Sequence, residues 1–217
     1  MDSLSGVGVV DKTAAILGAL EGRALNLPGL VDATGIARPT AHRLASALEA
    51  HGLVRRDDDG RFALGLRLVA LGHAAAAGLS VSDAARPALE RLRDDTGEST
   101  QLYVRDGDRR VCTVSLESPH GLRTIVPLGA SLPLDRGSAG RVLRGEWNAK
   151  GWAESVGERE DGVASVSAPV LDARGNILAA VSVSGPIQRT TRSPGRRYGA
   201  AVVGAAGEIE AALAATS

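Results

Sequence analysis

The run Arg38, Pro39, Thr40, Ala41, His42, Arg43 places guanidinium, hydroxyl and imidazole groups close together. Side chains of those types donate to base edges and to phosphates. Arg55, Arg56 and Arg61 follow on a segment that reads as a hairpin and are placed to reach neighbouring phosphates or a minor groove. A second set, Ser165, Ser167, Ser182 and Ser184, sits at alternating positions, which on paired strands puts hydroxyls on one face. Small hydroxyls beside a pocket can hold a carboxylate or a polar metabolite without filling the space. Both sets have a plain alternative: a helical bundle with solvated arginines, and serines on a solvated sheet face. The first 65 residues carry seven Lys and Arg against eight Asp and Glu, and Asp57, Asp58 and Asp59 at the hairpin tip would repel phosphates.

Other chemistries find less support. His42, His51, His73 and His120 are scattered, with no pair at helical i, i+4 spacing and no cysteine pair beside them, so no metal or other cofactor is expected. Gly6 and Gly8 lack the third glycine of a dinucleotide fingerprint, and no phosphate-loop lysine is present. Ser182 and Ser184 lack the preceding glycine of a nucleophile elbow and a downstream histidine. Cys112 is the only cysteine, which excludes an internal disulfide and the several thiols that a sulfoxide-reducing enzyme needs. No enzymatic activity is expected.

The elements that must position these residues follow from periodicity. Val10, Thr13, Ala14, Leu17 and Leu20 recur at helical spacing, and Asn26 can cap a short helix that buries Leu27, Leu30 and Val31 and stops at Gly35. Pro39 suits the first turn of a third helix with Ala41, Leu44, Ala45 and Leu48 inward and Thr40, Arg43 and Ser46 outward. A two-stranded hairpin turning at Asp-Gly completes the order of a winged helix-turn-helix over residues 1–64. A linking helix is expected over 65–78, closed by Gly78, and a second domain over 79–217. There Ser82 or Asp83 would cap a helix burying Ala85, Leu89 and Leu92. The period then changes to two. Strands are expected at 101–105, 110–116, 122–126, 152–156, 163–170 and 177–184, with a short helix at 137–144 and a last one at about 195–214. Strands in hairpins between grouped helices give an α+β class with an antiparallel sheet.

The 217 residues hold 25 basic and 25 acidic side chains, so a polyanion must be met by a local patch. Aromatic residues make up only 2%, leaving Ala, Leu, Val and Ile to build the core; Trp147 and Trp152 could edge a pocket or a packing interface. No apolar stretch approaches the length of a membrane span and no basic-then-apolar leader follows Met1, so a cytoplasmic protein is expected.

With these residues in place the chain resembles the IclR family of bacterial transcriptional regulators. The likeness is carried by LVDATGIARPTAHRLASALEAHGLV (30–54), by GWAESVGEREDGVASVSAPVLDARGNILAAVSVSGP (151–186) and by the glycine turn GSAGRVL (137–143). Within the family, the opening SGVGVVDK and the phrase GEREDGVASVSAPV are most similar to actinobacterial regulators of leucine and other amino-acid biosynthesis genes. The resemblance implies a C-terminal effector domain of GAF-like fold and a dimer, or dimer of dimers, on a palindromic double-stranded DNA operator. By motif position it implies an effector pocket at Ser138, Ala139, Ser155, Ser165, Ser182 and Ser184. Many members carry cysteine at Ser165 and an acidic residue at Ser155, departures that point to a different ligand or none. Between Leu143 and Gly151, where members carry some tens of residues of helix, this chain has seven, a loss expected to leave the pocket open. The alternative is an oligomeric DNA-binding protein whose C-terminal domain only mediates assembly.

Overall fold

The computed structural model describes residues 7–77 and 80–216, in two compact units that part between Ala75 and Ala76. Gly6, and Gly78 as the expected end of the linking helix, lie outside the described residues.

In the first unit α1 (Gly8–Ala19), α2 (Leu27–Thr34) and α3 (Arg38–Ala50) precede the hairpin β1 (Val54–Arg56) and β2 (Phe62–Leu64); α4 (Arg67–Ala77) follows. Asn26 caps α2 by accepting from the Gly29 amide at 2.9 Å, and Gly35 ends it at φ 67°, where a glycine avoids the Cβ penalty. α3 buries Ala41, Leu44, Ala45 and Leu48 as the periodicity predicts, although Thr40 and Ser46 are half-buried. α1 departs from its expected stripe. Ile16 and Leu20 are buried, while Val10 and Ala14 are exposed, because only the C-terminal half of the helix meets the core. Phe62 is the largest fully buried side chain of this unit and exchanges backbone hydrogen bonds with Leu25 at 2.8 and 2.9 Å, so the hairpin is pinned to the α1–α2 connection.

In the second unit α5 (Ser80–Thr96) leads into β3 (Ser99–Asp106) and β4 (Arg109–Leu116), then β5 (Ser131–Pro133), α6 (Ser138–Leu143), β6 (Ala153–Val156), β7 (Val163–Leu171), β8 (Ile177–Pro186), α7 (Ile187–Thr190) and α8 (Pro194–Thr216). The sheet order is β5-β4-β3-β8-β7-β6, with neighbouring strands antiparallel. α5 and α8 cover one face, packing Leu89, Leu92, Val202 and Ile209 on Leu102, Val166, Val181 and Val183. α6 sits over the other with Ala139, Val142 and Leu143 near Tyr103, Cys112 and Ala180. By length and composition α8 resembles a membrane span, but Val202, Ala205, Ala206 and Ile209 belong to this core. Trp152 also packs on α8, where a Cβ at Gly195 or Gly199 would lie 2.1 or 2.5 Å from its ring.

Two expectations are corrected. Ser82 and Asp83 do not cap α5, which already runs from Ser80, and Ser82 is buried inside it. Residues 122–126 are not a strand. The Ser99, Ser115 and Arg189 side chains bind the carbonyls of Thr124, Val126 and Leu122 at 2.6–2.8 Å, so side chains take the acceptors a strand partner would use.

Removing the Phe62 ring leaves a cavity at the centre of the first unit's core. Phe62→Ala should cost about 3–5 kcal/mol, read as a lower urea midpoint for unfolding of the full chain.

Candidate nucleic-acid interface and buried polar cavity

On α3, Arg38, Pro39, His42 and Arg43 are exposed on the side away from the core, with Thr40 half-buried at its edge. Among the described residues, Arg38, Arg43 and Arg55 make no ion pair or side-chain hydrogen bond. The other two arginines of the hairpin are engaged. Arg56 lies 4.2 Å from the Phe62 ring centroid, donates to the Gly60 carbonyl at 2.9 Å and approaches Glu49 at 3.4 Å. Arg61 pairs with Asp59 at 2.7 Å. The acidic tip is partly structural, since Asp57 accepts from the Asp59 and Arg61 amides and closes the turn. A helix of 13 residues is about 20 Å long, and its width suits a major groove of about 12 Å.

In the second unit the serines form two rows across the sheet. Ser155, Ser165, Ser184 and Ser99 pair across β6, β7, β8 and β3; Ala153, Ser167, Ser182 and Gln101 make the adjacent row. Ser155, Ser167, Ser182 and Ser184 are buried and Ser165 half-buried, so this is not a solvated face. The Ser138 hydroxyl reaches Ser165 and Ser167, both at 2.7 Å; Ser167 donates to Ser182 and Ser184 to Gln101, both at 3.0 Å. Gly137 starts α6 at φ 78°, and Gly140 lets the helix come down on the Leu134 carbonyl, which a Cβ would meet at 2.3 Å. Ser138, Ala139, Ser155, Ser165, Ser182 and Ser184 thus line one cavity.

Tyr103, scarce among the few aromatics, lines it too, as do Arg110 and Arg159, which no spacing in the sequence brings to the serines. Arg110 was detectable, since it lies in phase with the buried Cys112 on a strand of alternating burial. Its Nη1 donates to the Pro133 and Arg136 carbonyls and its guanidinium lies 5.4 Å from the Tyr103 ring centroid, but Nε has no partner. Burial holds the Arg110 guanidinium below its ordinary pKa, with the opposing Tyr103 and the neighbouring Arg159 as smaller influences. Burial, reinforced by Cys112, raises the Tyr103 phenol. The cavity measures about 20 Å³, room for about one water. Tyr103, Arg110 and Arg159 are part of its wall, and the space between them and the serines is small. Among the described residues no three His, Cys, Asp or Glu side chains gather as a metal ion would require.

A helix-turn-helix unit with unpaired arginines on its third helix, followed by a curled antiparallel-sheet domain around a polar cavity, defines a two-part DNA-binding regulator. The IclR helix-turn-helix domain model matches residues 9–58, and the bacterial transcriptional regulator IclR C-terminal model matches 73–148 and 145–211. The chain belongs to the IclR family of transcriptional regulators. The HTH-type transcriptional regulator KipR of Bacillus subtilis is 26% identical over 81% of this chain and 85% of its own. The glycerol operon regulatory protein of Streptomyces griseus is 29% identical over 83% and 85%. An IclR homologue from Microbacterium hydrocarbonoxydans, solved in complex with 4-hydroxybenzoate, superposes with a TM-score of 0.78 at 20% identity, over 95% of this chain and 99% of that one. Relatives of this family are transcriptional regulators, not enzymes.

Cys112 is fully buried and donates to the Val114 carbonyl at 3.3 Å, and burial pushes its thiol up to about 12. At pH 8 almost none of it is thiolate. Iodoacetamide should leave the folded chain unlabelled at pH 8 and alkylate it in urea, as measured by intact mass.

Proposed function

We propose that the chain binds a palindromic double-stranded DNA operator through α3, with Arg38, Pro39, Thr40, His42 and Arg43 at the major groove and Arg55 at adjacent phosphates. The observation that carries this is the exposed, unpaired state of Arg38 and Arg43 opposite the core face of their helix. Arg56 and Arg61 contribute less, since internal contacts already hold them. α4 links the DNA-binding domain to an effector and oligomerisation domain. A dimer, or a tetramer built from it, is supported by exposed Val9 and Val10 on α1 and Leu66, Val69 and Leu71 around the start of α4.

Control of amino-acid or related metabolic genes is supported by the resemblance of two phrases to the amino-acid branch, and a relative named for a glycerol operon fits the wider metabolic class. The place of action is the cytoplasm. The C-terminal domain senses a small metabolite at the serine-lined cavity, a reading the ligand-bound homologue supports. A ligand shifts operator affinity by as much as its affinities for the two states differ. One observation favours the second reading, in which this domain only assembles the oligomer: the cavity has room for about one water.

Arg43→Ala and Arg55→Ala should each cost at least about 1 kcal/mol in operator affinity, measured by fluorescence anisotropy with scrambled competitor. Arg61→Ala should cost less than either. Equal losses for all three would overturn the division between free and paired arginines. Leu66→Asp with Val69→Asp should lower the mass in sedimentation equilibrium towards that of the monomer; an unchanged mass would remove this surface from the interface.

A further inference from the structure

The polar cavity has a larger neighbour. An open groove of about 400 Å³, within the size range of small-molecule sites, runs beside it between segment 122–125, residues 160–163 and the end of β8. Val163 lines both spaces. The turn between them is bounded by Gly157 and Gly162, at φ 71° and 81°. It carries Arg159 against the polar cavity and Glu160 and Asp161 against the groove.

The two spaces differ in chemistry. In the polar cavity Arg110 is only 3% exposed, and among the described residues no carboxylate lies within ion-pair distance of it. Its Nε and the Arg159 Nη2 are both buried without a hydrogen-bond partner, although Glu160 lies 3.6 Å from the latter. Gly137 leaves space here, since a Cβ would stand 3.3 Å from Arg110 Nη2 and 4.0 Å from the Ser155 hydroxyl. A buried Arg110 without an ion-pair partner, beside an Arg159 held only loosely by Glu160 and hydroxyls able to turn their protons, favours an anionic group. The groove instead exposes Leu122 and Ile125, 66% and 54% accessible, with Pro186 at its end. Its Arg123 is occupied by Glu117 at 2.6 Å, and Glu160 and Asp161 at the rim disfavour a second negative charge.

Resting on the ligand-sensing reading above, we infer that this domain takes a monocarboxylate with a short apolar tail. The carboxylate sits against Arg110 and Arg159 among the serines, and the tail lies over Leu122 and Ile125. The Gly157–Gly162 turn yields to join the two spaces. Arg110 and Arg159 then read the ligand's charge, and the groove reads the length of its tail.

Isothermal titration of the full chain with hexanoate, hexanamide and acetate tests this. Hexanoate should bind at least about tenfold more tightly than either of the others. Arg110→Gln should abolish the preference for acid over amide; because Arg110 is buried, the half-buried Arg159→Gln provides the same test with less risk to folding, and circular dichroism checks both. Ile125→Asp should remove the advantage of hexanoate over acetate. Equal binding of hexanoate and hexanamide by the unaltered protein would overturn the anionic head and leave a ligand-binding domain standing. Equal binding of hexanoate and acetate would overturn the tail groove. Absence of binding by all three would overturn the inference and count against the ligand-sensing reading as well.

Discussion

A sheet covered on both faces has to pair most of its buried polar side chains with its own neighbours, because each buried group left without a partner, as Arg110 Nε and Gln101 Nε2 are, costs about 1–3 kcal/mol. The second unit is organised around that constraint. β7 and β8 run almost without exposed positions, and their residues alternate between an aliphatic face under α5 and α8 and a hydroxyl-bearing face near α6. The Ser138 hydroxyl, brought in by α6, closes a network through Ser165, Ser167 and Ser182. The helix can come that close because residue 140 is glycine. The packing of α6 on the sheet thereby produces a polar cavity into which Arg110 brings a positive charge with no ion-pair partner among the described residues.

Pairing between neighbours also shapes the first unit's charge. Balanced totals of acid and base conceal an uneven distribution, in which Glu49 and Asp59 engage Arg56 and Arg61 and leave Arg38, Arg43 and Arg55 without partners. Exposed pairs of this kind add little stability, so their main consequence is electrostatic: with Lys12 and Arg23 elsewhere, they leave unpaired positive charge on α3 and β1. The carboxylate of Asp57 that looks repulsive in the sequence is needed to close the hairpin turn.

Much of this was legible because strong periodicities survive in the fold. The buried face of α3, the Asn26 cap, the hairpin and most strands of the sheet follow from spacing and turn residues alone. Segment 122–126 misled because its alternation matches a strand's, while its carbonyls are bound by Ser99, Ser115 and Arg189 from distant parts of the chain. α1 misled because an apolar stripe does not show how much of its length meets a partner. For the cavity, spacing placed the serines on one face but could not show that the face is buried. Arg110 and Arg159 arrive there from a strand and a turn far apart in sequence, a convergence only the tertiary structure brings about.

In the proposed complex α3 reads a major groove. Guanine N7 lies in that groove, so dimethyl-sulfate footprinting of the full chain on the DNA upstream of its own gene reports the contact itself. Protected guanines in two symmetric clusters, lost when Arg38 and Arg43 are both replaced by alanine, are the predicted result. No protection by the folded protein, or protection that persists in the double variant, would contradict it.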